Sequence, residues 1–195
     1  MRRSETPRLL IVPGLDDSGP AHWQTWLQSL HRDAIRVQQE DWSVPDLERW
    51  AARIGEAVAR HGGPLIAAAH SFGCLALVRH LARRPDSPIA SALLVAPADP
   101  ARFRAAPVLA SQAIDTPTLV VASDTDPWMS ARDARHWAHA WRSRFVNLGD
   151  VGHINVDSGF GPLPLAARWV DGARRRAARL RRFETAAPRE GSFAS

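Results

Sequence analysis

Short, uninterrupted apolar runs alternate along this chain with segments in which apolar positions recur every three or four residues. Residues 8–12, 64–69, 89–95 and 117–122 are runs of strand length, and 34–38 and 144–148 are a weak and a short strand candidate interrupted by polar residues. Residues 20–31, 45–61, 72–84, 130–144 and 163–183 have helical spacing. In the first of these, Trp23, Trp26, Leu27 and Leu30 fall at i, i+3, i+4 and i+7 and make one apolar face. The punctuation agrees: Pro13-Gly14 closes the first run, Ser43 is a candidate N-cap for the second helix, and Gly62-Gly63 stops it. The strand runs do not alternate polar with apolar, which is the pattern of strands covered on both faces. They predict a parallel sheet with helices on both sides, an α/β fold. The Pro-punctuated stretch 97–116 is the only one long enough for a lid, so a small, shallow pocket is expected.

The 195 residues suit one domain, drawn at 1–183, with 184–195 expected to be a disordered tail. A single cysteine excludes an internal disulfide framework and suits a reducing compartment. The first apolar run is too short for a signal peptide, and no run approaches the ~18 apolar residues of a membrane span, so a cytoplasmic protein with no membrane partner is expected. The net charge of +5 invites a nucleic-acid reading until it is located. Residues 174–195 hold seven arginines and two glutamates, and the rest of the chain is balanced. With no lysine and two asparagines, the composition reads as the bias of a GC-rich genome rather than as a nucleic-acid interface. No specific nucleic-acid partner is expected.

The segment Ala67-Ala68-Ala69-His70-Ser71-Phe72-Gly73 changes the picture. An apolar strand runs straight into a serine and then into a helix. In such a turn the serine is strained and its hydroxyl stands above the carboxyl ends of the strands, poised as a nucleophile. Strand and helix backbones crowd there, so small residues are needed on both sides. Gly73 meets this, and Ala69 departs by one methyl from the usual first glycine. The competing reading makes Ser71 a plain N-cap.

A serine nucleophile needs a base, and the base needs an orienting acid; in this type of fold they follow in the order Ser, acid, His. His153 lies just past the last strand run, on the edge that carries Ser71. The other seven histidines lie on helices, at helix ends or, for His70, beside Ser71 and pointing away from it. Asp126 and Asp124 both follow the strand run 117–122; Asp150 is too close to His153 in sequence to approach it from behind.

The glycine-rich loop Pro13-Gly14-Leu15-Asp16-Asp17-Ser18-Gly19 lacks the Lys and Ser/Thr of a phosphate-binding loop, with Pro20-Ala21 in their place. It is better used as half of an oxyanion hole, the Leu15 N–H facing that of Phe72. Trp128, Gly14 and Asn155 are candidate substrate contacts. His136, His139 and Asp133 share one helix but read as a polar face; no metal and no cofactor is expected. Cys74 reads as buried filler.

Leu10-Ile11-Val12-Pro13-Gly14 with Ser18-Gly19-Pro20-x-His22-Trp23, Gln39-Glu40-Asp41-Trp42-x-x-Pro45, Ala69-His70-Ser71-Phe72-Gly73-Cys74, Leu93-Leu94-Val95-Ala96-Pro97-Ala98, Ser123-x-x-Asp126-Pro127 and Gly152-His153-Ile154-Asn155 with Ser158-Gly159-x-Gly161 together resemble the small α/β-hydrolases of the YdeN and retinoblastoma-binding-protein-nine-like family. The resemblance spans about residues 8–170. It implies a six-stranded parallel sheet with helices on both faces and a minimal lid, lacking the first two strands of larger relatives. It also favours Asp126, the aspartate directly before proline, as the acid. It implies serine hydrolase activity, expected on a small carboxylic ester or, less readily, an amide, through an acyl-Ser71 intermediate. Acyl transfer, or a binding module that has kept the fold, are the alternatives. The retinoblastoma association is not implied, since no Leu-x-Cys-x-Glu occurs in the chain.

Overall fold

The structure, a computed structural model, describes residues 6–110 and 112–186, with side chains up to Arg179. Six strands, β1 (Arg8–Val12), β2 (Ile35–Arg36), β3 (Leu65–Ser71), β4 (Ile89–Pro97), β5 (Thr118–Ala122) and β6 (Arg144–Asn147), form one sheet in the order β2-β1-β3-β4-β5-β6. Every neighbouring pair is parallel. The helices between them are α1 (Trp23–Ser29), α2 (Leu47–His61), α3 (Phe72–Arg83), α4 (Ala106–Leu109), α5 (Ala131–Ala140) and α6 (Pro164–Ala186). This is the parallel α/β sheet that the apolar runs predict, with the six strands that the family resemblance implies.

Alternate residues of each strand feed opposite layers. Leu10, Val12, Ala67, Ala69 and Leu94 pack with Trp50 and Ile54 of α2 and Leu75 of α3, while Leu9, Ile11, Ile66, Ala68 and Leu93 pack with Trp23 and Leu27 of α1 and Ala166 and Val170 of α6. A strand buried on both faces has no room for a polar alternation. The strand order reverses direction at β1, so the loops after β1 and β3 open side by side, at the point where sheets of this kind form their sites.

Local details differ from the sequence expectations. Helix α2 is capped by Asp46, whose carboxylate accepts the Arg49 N–H at 3.0 Å; the Ser43 hydroxyl donates instead to Asp41 at 2.6 Å. The stretch 97–116 contains the short helix α4 and is fastened down: Leu109 and Ile114 are buried, and the Trp141 indole N–H donates to the Leu109 carbonyl at 3.3 Å. Helix α6 continues to Ala186, past the expected start of the tail at 184, and the remainder of that tail lies outside the described residues. No described helix is long and apolar enough to cross a membrane.

Candidate active site

The end of β3 explains the residue types around Ser71. Ser71 has φ 52° and ψ −127°, a conformation that costs a non-glycine residue on the order of 1–3 kcal/mol. The register with β4 is irregular at the same step, between His70 and Ser71. A β-carbon on Gly73 would stand 2.7 Å from the Val12 carbonyl oxygen and closer still to that of Pro13, so only glycine lets α3 start so close to the end of β1. Ala69 is fully buried, and its methyl is accommodated in the α2–α3 layer. Ser71 makes no side-chain capping bond to α3. Its hydroxyl instead lies 3.0 Å from His153 Nε2, which removes the simple N-cap reading.

His153 Nδ1 is 2.9 Å from both carboxylate oxygens of Asp126. Both side chains are almost excluded from solvent, at 7% and 3% exposure. Asp126 Oδ1 also accepts the Trp128 N–H at 2.9 Å. The other aspartates are occupied elsewhere: Asp124 accepts from the Asn147 amide at 2.6 Å, and Asp150 from the Thr125 hydroxyl at 2.6 Å. Ser123 ties the two loops together, donating to the Gly149 carbonyl at 3.0 Å and accepting the Val151 N–H at 3.1 Å.

The peptide of His153 is held at both ends. Its N–H donates to Ser158 Oγ at 2.9 Å, and its carbonyl is 3.0 Å from His70 Nε2. The next residue, Ile154, is fully buried with φ 50°, an unusual conformation for a β-branched residue. Ser158 in turn donates to Asn155 Oδ1 at 2.8 Å, and Gly152 (φ 57°) leaves the room that Ser158 occupies: a β-carbon there would lie 2.7 Å from Ser158 Cβ. The spacing Gly152-His153-x-Asn155-x-x-Ser158 is therefore a turn built to present one imidazole.

A cavity of about 510 Å³ opens over Ser71 and His153, a size that suits a small organic ligand. Leu15, Trp128 and Asn155 line it, as does Phe103 from the stretch after β4. The Trp128 ring stands 6.1 Å from that of His153 and carries the Arg102 guanidinium 5.5 Å from its centroid. Gly14 is backed against Ser71 rather than exposed to the cavity; a β-carbon there would be 2.7 Å from Ser71 Cβ. Asp16 donates its N–H to the Trp42 carbonyl at 3.1 Å, and Phe72 opens α3, where N–H groups have no intrahelical acceptor.

Two histidines that sequence reasoning set aside belong to this site. His70 points away from the Ser71 hydroxyl, as its place in the strand requires, but the His153 loop folds back onto that same face. The two rings are 4.9 Å apart. His22 lines the cavity beside His70, their rings 4.8 Å apart. Burial lowers the pKa of both, that of His22 to about 4 with help from the Arg36 guanidinium. In the sequence both stand in segments that carry the family resemblance, beside the two loops that build the site. The Cys74 thiol is buried and its pKa raised by burial. Among the described residues no group of three His, Cys, Asp or Glu is placed to hold a metal ion; Asp133 is taken up in the cap of α5 with Ser130.

A parallel sheet of this order, with a strained serine at the end of β3 and a histidine after β6, defines an α/β hydrolase. The family model for serine hydrolases matches residues 9–171, and the chain belongs to that family. A protein from Pectobacterium atrosepticum described as a YdeN-like hydrolase is 35% identical, with 88% of this chain and 92% of that one covered and a TM-score of 0.82. The ydeN product of Bacillus subtilis is 19% identical, with 86% and 98% covered and a TM-score of 0.72. Est1E from Butyrivibrio proteoclasticus, at 14% identity, 91% and 90% coverage and a TM-score of 0.66, shares the fold. No functionally curated protein matches the chain.

Proposed function

We propose that this serine hydrolase cleaves small carboxylic esters through an acyl-enzyme on Ser71, with His153 as general base and Asp126 as the acid behind it. The observation that carries this reading is the unbroken hydrogen-bonded chain from Ser71 Oγ through both nitrogens of His153 to the Asp126 carboxylate. Asp126 holds the proton of the neutral ring on Nδ1, so Nε2 presents its lone pair to the hydroxyl. As Ser71 Oγ attacks the ester carbonyl carbon, Nε2 takes its proton. The resulting oxyanion is met by the N–H groups of Leu15 and Phe72 at the positive end of α3. Collapse breaks the bond to the alcohol oxygen, which leaves with the proton from Nε2. Water then loses a proton to Nε2 and attacks the acyl carbon; collapse breaks the bond to Ser71 Oγ, which takes that proton back from Nε2 as the carboxylic acid leaves.

The strain at Ser71 and Ile154 supports this reading, because a hydroxyl needed only as a helix cap would not require either. The test is turnover of p-nitrophenyl acetate and butyrate by the wild type and by Ser71→Ala. Hydrolysis above background that disappears in the variant, with thermal unfolding unchanged, is the expected result. Equal turnover by both proteins would remove Ser71 from the mechanism.

A further inference from the structure

His22 has no task in the mechanism above, yet it stands in the cavity wall. It is 5% exposed and caps α1, its Nδ1 accepting the Gln24 N–H at 3.1 Å. A neutral ring that accepts at Nδ1 carries its one proton on Nε2. Burial, reinforced by the Arg36 guanidinium, keeps the ring neutral down to a pH of about 4. Among the described residues Nε2 has no hydrogen-bond partner, and the ring lines the cavity.

The ring is also fixed in place. It packs edge-on against His70 and lies 5.6 Å from the Trp23 ring. Gln24, whose N–H it receives, is fully buried and donates to the carbonyls of Val12 and Ala68 at 3.1 and 3.0 Å while accepting the Ser18 hydroxyl at 2.6 Å. The donor is thus tied to β1 and β3, the two strands that carry the Leu15 loop and Ser71. The cavity lining itself carries carboxylates: Asp16, Asp17 and Asp157 line it, Asp17 paired with Arg36 at 2.7 Å, and among the described residues no arginine does.

We infer that His22 is a specificity-determining residue, its Nε2–H taking an uncharged oxygen acceptor of the substrate (an ether, hydroxyl or second carbonyl) apart from the carbonyl under attack. This rests on the ester-hydrolase reading of the site. The surrounding carboxylates repel an anionic group, and a fixed neutral donor answers a neutral acceptor.

The probes are p-nitrophenyl 3-methoxypropanoate and p-nitrophenyl pentanoate, which differ by one oxygen for one methylene. His22→Asn keeps a capping acceptor on α1 but ends short of Nε2, and His22→Gln returns an N–H near that position. The wild-type preference for the methoxy ester in kcat/KM, relative to that of His22→Asn, is expected to be about three- to tenfold, the worth of one partly solvated hydrogen bond. It should lie mainly in KM, and His22→Gln should recover part of it. The p-nitrophenyl monoester of succinate should be the poorest of the three for the wild type. The same preference in wild type and His22→Asn, or selection of the succinate ester, would overturn the inference.

Binding is read separately in Ser71→Ala by NMR titration with methyl 3-methoxypropanoate and methyl pentanoate. Equal affinities overturn the His22 assignment whatever the turnover shows, and tighter binding of the methoxy ester upholds it. Absence of turnover with selective binding intact would instead strike at the hydrolase reading.

Discussion

Replacing Asp126 by asparagine isolates the role of the acid with almost no change of shape. Asp126 Oδ1 accepts the Trp128 N–H, so the amide keeps its oxygen there and places its NH₂ at the Oδ2 position, 2.9 Å from His153 Nδ1. That NH₂ opposes a proton on Nδ1, leaving only the Oδ1 position, also 2.9 Å away and shared with the Trp128 N–H, to accept it; the tautomer with the proton on Nε2 gains, facing Ser71 with an N–H where a lone pair is needed. One lost or inverted hydrogen bond corresponds to about 1 kcal/mol, roughly a factor of five to ten. The larger loss is the charge. A carboxylate with its centre about 4 Å from the imidazolium, in an effective dielectric near 20, stabilises the charged ring by about 4 kcal/mol, or roughly a thousandfold in rate. Together these predict a fall in kcat of about 10⁴, the size found when the corresponding aspartate is replaced in another triad enzyme. The assay is kcat on p-nitrophenyl butyrate at pH 8, with circular dichroism to show that the fold is kept. Asp124→Asn, which keeps an oxygen for the Asn147 amide and loses only the charge, should change kcat by less than about tenfold. A loss under tenfold for Asp126→Asn, or a larger one for Asp124→Asn, would refute the reasoning.

Gly73→Ala forces a methyl onto the carbonyls of Val12 and Pro13 and should lower stability by about 1–3 kcal/mol or more and abolish turnover, whereas Gly161→Ala, with open space around it, should be silent; equal melting temperatures would contradict this. Acid should weaken the fold. His22 and His80 have folded pKa values lowered to about 4 by burial, so from pH 6.5 down to 4 the unfolded chain takes up protons that the folded one does not. Stability that is complete above about 6.5 is then lost as pH falls towards 4, on the order of 2–3 kcal/mol for each histidine. Urea midpoints at pH 7 and 4.5 measure this, and identical midpoints would exclude it. Exchanging the exposed Arg175, Arg176 and Arg179 for glutamine should reduce heparin retention and leave kcat/KM within a few fold. Arg174 must be spared, because it donates to the Pro7 carbonyl and pairs with Asp33, and Arg174→Ala should lower the melting temperature.

Much of this molecule could be read from residue order because its constraints are local. The apolar runs locate all six strands within a few residues, and the strand–Ser–helix turn with Gly73 is a steric requirement that leaves its mark in sequence. His153 follows from the edge of the sheet on which it must lie; that edge offers both Asp124 and Asp126, and the choice between them rests on the family resemblance. What could not be read depends on long-range folding. His22 looks like a helix-end histidine until the structure sets it against His70 and the cavity. His70 leaves the Ser71 side of the strand, but whether anything waits on the far face depends on how the loop after β6 returns. The cap of α2 is a local miss of another kind: the helix starts at Leu47, so Asp46 holds the cap position, while Ser43 lies in an Asx turn with both its N–H and its hydroxyl on Asp41 Oδ1. Phe103 reaches the cavity from a stretch without periodicity, so nothing in its neighbourhood singles it out.

The central claim is that Ser71 is a nucleophile activated by His153. Its most direct test is covalent labelling with a fluorophosphonate, followed by intact mass and peptide mapping. The account predicts one adduct per chain, on Ser71, absent in Ser71→Ala and strongly slowed in His153→Ala. An unlabelled wild type, or an adduct of the same stoichiometry in Ser71→Ala, would contradict it.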